Sequence, residues 1–256
     1  MRRAVLAVML LVLAGCGGSG KHASTAPVVT VKPAPFTGTV AKTTAAGSVR
    51  FAQRTVLSVG TSTLEAAENG TASLVERRAR VYKQLASGGV PGEIVVIGPI
   101  TYTNANVQAA LNDPSVQPWT KLDTRRLNAR QQATQADELA HAAAPAYLAL
   151  GVAHPHRVGV FGRLTQYRGT VDPARVAERL SPDVRAWVLK AVRADYPARP
   201  FAAQFWLDSR GRVSRVLVAY RTARGTPVVI ATQYSGYGVK VDVSLPPARE
   251  IKDVTP

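Results

Sequence analysis

Apolar and polar residues alternate along Val49-Arg-Phe51-Ala-Gln-Arg-Thr55-Val-Leu57-Ser-Val59, the two-residue period of a strand with one buried face. Gly60 ends that run. Residues 64–74 predict a second strand with a bend or bulge at Asn69-Gly70, and residues 79–85 a third. After the turn Ser87-Gly-Gly-Val-Pro-Gly92, residues 93–97 read as a fourth strand that continues past Gly98-Pro99 to Tyr102, and Trp119-Thr-Lys-Leu122 as a short further one. Strands joined by short turns make an antiparallel meander.

The period then changes. Residues 123–143 are rich in Ala, Gln, Arg and Leu, which predicts a helix with Asp123 as its cap; Pro145 interrupts it before a second apolar helical piece at 146–151. A strand-like stretch at 158–171 leads to Asp172-Pro173, a helix start, and Ser181-Pro182-Asp183 repeats that signal. In the helix that follows, Val184, Trp187, Val188, Ala191 and Val192 form one apolar stripe. Alternation returns in Phe201, Ala203, Phe205 and Leu207, turns at Asp208-Ser-Arg-Gly211, and continues through 213–221, 228–233 and 239–245 before Pro246-Pro247 and a loose tail. The predicted class is α+β: a large antiparallel sheet of roughly ten strands with helical insertions covering its apolar face.

Composition narrows the function. The chain has 256 residues, 46% of them apolar and 19% charged, so it folds around a core. Its single cysteine excludes a disulfide framework and a cysteine zinc site. The formal charge of +16 invites a nucleic-acid reading, and location argues against it. Arg2 and Arg3 precede the apolar stretch 4–12 and Leu13-Ala14-Gly15-Cys16, an export signal too short to span a membrane. It resembles a bacterial lipoprotein signal, with Leu-Ala-Gly-Cys as the lipobox. The resemblance implies cleavage after residue 15 and a diacylglyceryl thioether on Cys16. Each buried acyl methylene is worth ~0.8 kcal/mol, so two or three palmitate-like chains anchor a protein durably. Residues 16–46, rich in Gly, Ser, Thr, Ala, Val and Pro and without an acid, read as a tether. Five basic residues (Arg2, Arg3, Lys21, Lys32, Lys42) precede Ala46, so the remainder carries +11, a basic surface suited to anionic headgroups and wall polymers.

The lipobox, Gly98-Pro-Ile-Thr-Tyr102, Trp119-Thr-Lys-Leu-Asp123, Tyr167-Arg-Gly-Thr-Val-Asp172, Phe205-Trp-Leu-Asp-Ser-Arg-Gly211 and Gln233-Tyr-Ser-Gly-Tyr-Gly238, in that order, resemble the LppX/LprG lipoproteins of the LolA/LolB-like fold. The resemblance covers residues 47–250, with 251–256 as a tail. It implies a half-barrel wrapped around helices, a monomer facing outward on the cell membrane, and an apolar cavity for acyl chains of a lipid or glycolipid carried through the envelope. Alternation supplies Phe51, Leu57, Val81, Phe205, Leu207, Val241 and Val243 as cavity candidates, and the helix stripe adds Trp187 and Val188. Periodicity alone does not choose between a cavity wall and a filled core, and for any single residue the core is the simpler reading. A filled core would make the protein a tethered structural or protein-binding module.

Catalytic signals are absent from the sequence. His154-Pro-His156 has no carboxylate between residues 139 and 171 and reads as a solvated loop, and no nucleophile elbow, phosphate loop or dinucleotide fingerprint occurs. Neither a cofactor nor a metal is expected.

Overall fold

The computed structural model describes residues 36–85, 92–104, 107–113, 115–134 and 138–256; the signal, Cys16, most of the tether and the turn at 87–91 lie outside these. The strands are β1 (Ser48–Val59), β2 (Ser62–Ser73), β3 (Arg78–Leu85), β4 (Gly92–Ile97), β5 (Ile100–Thr103), β6 (Trp119–Asp123), β7 (Val152–Phe161), β8 (Leu164–Val171), β9 (Phe201–Leu207), β10 (Val213–Arg221), β11 (Pro227–Ser235) and β12 (Ile251–Asp253). The helices are α1 (Phe36–Thr44), α2 (Val107–Asn112), α3 (Ala129–Thr134), α4 (Glu138–Tyr147), α5 (Pro173–Arg179) and α6 (Pro182–Asp195). Among the described residues, the twelve strands form one open sheet in the order β12-β6-β5-β4-β3-β2-β1-β11-β10-β9-β8-β7. Every neighbouring pair is antiparallel except β12 with β6.

One core runs from Ile94 and Val96 on β4 through Val171 on β8 to Val152 at the start of β7, and includes α1, α4, α5 and α6. The sheet and the helices on its inner face form an α+β half-barrel around this core. Gly70 on β2 lies where neighbouring strands crowd: a Cβ there would stand 2.0 Å from the Arg80 carbonyl oxygen.

The helical layer is fastened by phenols. Tyr147 of α4 donates to Leu74 O at 2.6 Å, Tyr234 of β11 donates to Ala142 O at 2.8 Å, and Tyr220 of β10 donates to the last carbonyl of α6, Asp195 O. Tyr147 also meets Trp187 edge to face at 6.1 Å. The α6 stripe is buried as its spacing predicts, and the Asp172 carboxylate accepts from Ala174 N to cap α5. Ser181 opens α6 without a side-chain cap bond.

Several expectations change. The fold begins before Gly47: α1 buries Phe36 and Val40, and Phe36 packs edge to face on Tyr167 and Phe205 at 5.5 and 5.3 Å, so residues 36–46 belong to the domain. Asn69-Gly70 passes without a bulge, and residues 158–171 form part of a hairpin turning at Gly162. Residues 93–102 likewise make two strands, β4 and β5. The 123–143 helix is broken into a 3-10 turn, α3 and α4, and Pro145 sits inside α4 with a 3-10 turn after it. His154-Pro-His156 lies in edge strand β7 at a register shift, with His154 at φ 48°; an edge tolerates the missing proline N–H. Residues 239–245 are not a strand, and the tail contains β12.

The buried phenols give a pH signature. Burial pushes the Tyr147 hydroxyl up to about 12, and burial reinforced by the Asp195 charge does the same to Tyr220; Tyr196 and Tyr234 are raised further. Unfolded phenols ionise near 10, so the unfolded chain releases protons first. Stability should therefore be complete below pH 10 and fall between pH 10 and 12. Tyrosinate absorbance should rise together with loss of near-ultraviolet circular dichroism; independent titration of all tyrosines near pH 10 in a folded chain contradicts this.

Candidate functional site

Strand register divides the concave face into rows. Tyr234, Phe51, Gly70, Val81 and Ile94 lie opposite one another across five strands, and Val49, Ala72, Ala79 and Val96 form the next row toward one end. Here Phe51, Val81, Val188 and Phe205 are completely buried, with Trp187 and Leu207 nearly so. These six predicted cavity residues pack with α1, α4 and α6 in one cluster.

The opposite end is different. Leu57 faces Val228 and Leu64, and Val59 lies one inward step beyond. Leu57 is half-buried against the core, while Val59 and Leu64 remain 51% and 56% exposed. An apolar inward surface thus extends past the helical cover. Beside it, where α6 ends and β10 turns, a pocket of about 720 Å³ is lined by Arg193, Asp195, Tyr196, Arg199, Tyr220 and Arg221. His141 Nδ1 of α4 and the Asp195 carboxylate share a hydrogen bond at the helix contact beside this pocket.

Between the ends runs a polar row that alternation did not reveal as a site. Thr232, Gln53, Glu68 and Lys83 lie opposite one another on β11, β1, β2 and β3, all facing inward. The Thr232 hydroxyl donates to Gln53 Oε1 at 2.8 Å, and Lys83 Nζ stands 3.2 Å from Glu68 Oε1. Glu68 Oε2 is buried without a hydrogen-bond partner. A carboxylate oxygen desolvated in this way has lost its water without gaining a donor. The sequence carries a faint trace of this row, polar residues on the inward phase of four strands, but only the register aligns them.

Val241 and Val243 are separate from the other candidates. They lie on the segment 239–250, which crosses the outer face, and Val243 packs against the second cluster of Val95, Tyr102 and Trp119. Their alternation is genuine, yet the segment runs across the strands. β12 pairs beyond β6, and the chain must traverse the sheet from β11 to reach it.

No protein-family model matches the chain, and no curated protein matches it. Among solved structures it is similar to Mycobacterium tuberculosis lipoprotein LppX, at 14% identity over 82% of this chain and 98% of that one, with a TM-score of 0.45. It is similar to a LolA superfamily protein from Nitrosomonas europaea, at 13% identity, 82% and 94% coverage and a TM-score of 0.30. In the Pseudomonas aeruginosa MucA/MucB complex it matches 61% of the compared chain, with 82% of its own length, 13% identity and a TM-score of 0.31.

The polar row predicts an asymmetry. Lys83→Met leaves the buried Glu68 carboxylate uncompensated and should cost about 1–3 kcal/mol in denaturant unfolding. Glu68→Gln should cost less, because the Lys83 stem can swing its ammonium into water. Equal losses would refute the asymmetry.

Proposed function

We propose that this chain is an outward-facing envelope lipoprotein, anchored through Cys16, that binds acyl chains of an anionic lipid or glycolipid at the open end of its concave face and carries them between envelope layers. The observation that carries this reading is the inward apolar surface of Leu57, Val59 and Leu64 lying outside the helical cover. Acyl methylenes seated there leave water at ~0.8 kcal/mol each. The arginines of the adjacent pocket suit a negatively charged headgroup. Phe51, Val81, Trp187, Val188, Phe205 and Leu207 form the packed base of that face, closed over by the helices. The reading is of binding and carriage, with no catalytic step.

A second reading has its own support. The solid packing of that base favours a tethered structural or protein-binding module with no lipid ligand.

Two experiments test the proposal. Full chain purified in mild detergent should retain non-covalent lipid detectable by mass spectrometry, and Val59→Asp with Leu64→Asp should reduce it about tenfold through lost apolar contact. Lipid-free preparations that also refuse a fluorescent fatty acid favour the second reading. For the anchor, cells fed labelled palmitate should label the wild-type chain, whereas Cys16→Ser should be unlabelled and lost from the membrane fraction. An unlabelled wild-type chain would sink the anchor.

A further inference from the structure

The outer face carries a second concavity. After β11 the chain turns through Gly236 and Gly238, at φ 56° and 82°, and residues 239–250 cross the strands. Gly238 N donates to Ser48 O at 2.9 Å, the Ser48 hydroxyl donates to Val239 O, and Val243 is seated on the outer apolar cluster. Between this crossing and the sheet lies a groove of about 540 Å³. Arg50, Arg80 and Tyr82 contribute from the strands and Lys240 from the crossing, with the amides of Asn69 and Gln233 between them.

The cations differ in commitment. Arg80 Nε donates to Glu93 at 2.6 Å and its Nη1 to Asp242 at 2.9 Å, so it serves to tie the crossing to the sheet. Arg50 and Lys240 make no ion pair among the described residues. Counting these three cations against Glu93 and Asp242, the groove carries a net single positive charge. A guanidinium fork and an ammonium from two different segments suit a tetrahedral oxyanion, which accepts from several directions at once. Neighbouring amides and the 41%-exposed Tyr82 suit a polar group attached to it.

We propose that this groove binds a phosphate-bearing ligand, with the phosphate between Arg50 and Lys240 and its polar remainder along Asn69, Gln233 and Tyr82. The site lies on the opposite face from the acyl-chain surface and stands independently of it. Because Lys240 belongs to the crossing and Arg50 to β1, an occupied site clamps the crossing onto the sheet.

The test uses the full chain in non-ionic detergent, with inorganic phosphate, water-soluble short-chain phosphatidylglycerol and the matching phosphatidylcholine as probes. Inorganic phosphate should bind with a dissociation constant on the order of 1 mM and slow amide exchange in residues 239–245. Arg50→Glu and Lys240→Glu should each weaken it about tenfold, the cost of one charge-assisted contact, and the double variant should abolish the exchange protection at an unchanged thermal midpoint. Tighter binding of phosphatidylglycerol than of phosphate, lost in the double variant, identifies a lipid headgroup as the source. Binding of phosphate alone identifies a free phosphate compound. If phosphate gives no protection to the wild type, or the same protection to the double variant, the proposal is overturned; a double variant with a lowered midpoint is replaced by Arg50→Gln with Lys240→Gln, judged by the same criterion.

Discussion

Everything in this molecule depends on covering one face of an open sheet. Inward positions on strands from β4 to β8 are mostly apolar, and such a surface is stable only when removed from water. The helices supply the cover, and their attachment is directional as well as apolar. Phenols on α4, β10 and β11 each reach a backbone carbonyl on the opposite layer, so sliding the helices along the sheet breaks hydrogen bonds inside a dry core. Thr43 does the same for α1: its hydroxyl accepts from Val213 N at 3.0 Å and donates to Thr39 O at 2.7 Å. With the layer pinned, the uncovered part of the concave face is fixed as well. That remainder is the open end.

Much of the sheet was legible because strand alternation is a local property. Phe51, Val81, Phe205 and Leu207 point inward as their phase requires, and the α6 stripe faces the core as its spacing requires. What escaped is set by partners distant in sequence. The polar row exists only because Gln53, Glu68, Lys83 and Thr232 share a register, and nothing within any one strand announces it. Residues 239–245 alternate like a strand, but direction relative to the sheet comes from topology, which period does not encode. Helix α1 was hidden by composition: its Thr- and Gly-containing sequence reads as tether, while Phe36, Val40 and Thr43 at helical spacing are its buried side.

The two faces divide the chemistry. The inner face is apolar with a narrow polar belt, and the outer face is polar with a small apolar cluster under the crossing. Basic residues are placed accordingly. Arg212 and Arg215 lie over the rings of Tyr237 and Trp206 at 4.1 and 4.8 Å, which spends cationic charge on packing. The surplus positive charge is therefore a property of particular places, the rim of the open end and the outer groove among them.

The parallel strand β12 also sets an order of events. It caps the free edge of β6, where Lys121 Nζ pairs with Asp253 at 2.7 Å and Asp123 N donates to the Thr255 hydroxyl across 132 residues of chain. Because the chain is made N-terminus first, the edge of β6 exists long before its cover does. Throughout that interval the nascent sheet presents an unpaired strand to its surroundings, a condition that favours joining other chains. Completion of the crossing is thus what turns a growing sheet into a finished one, and the last strand acts as a stopper on further addition.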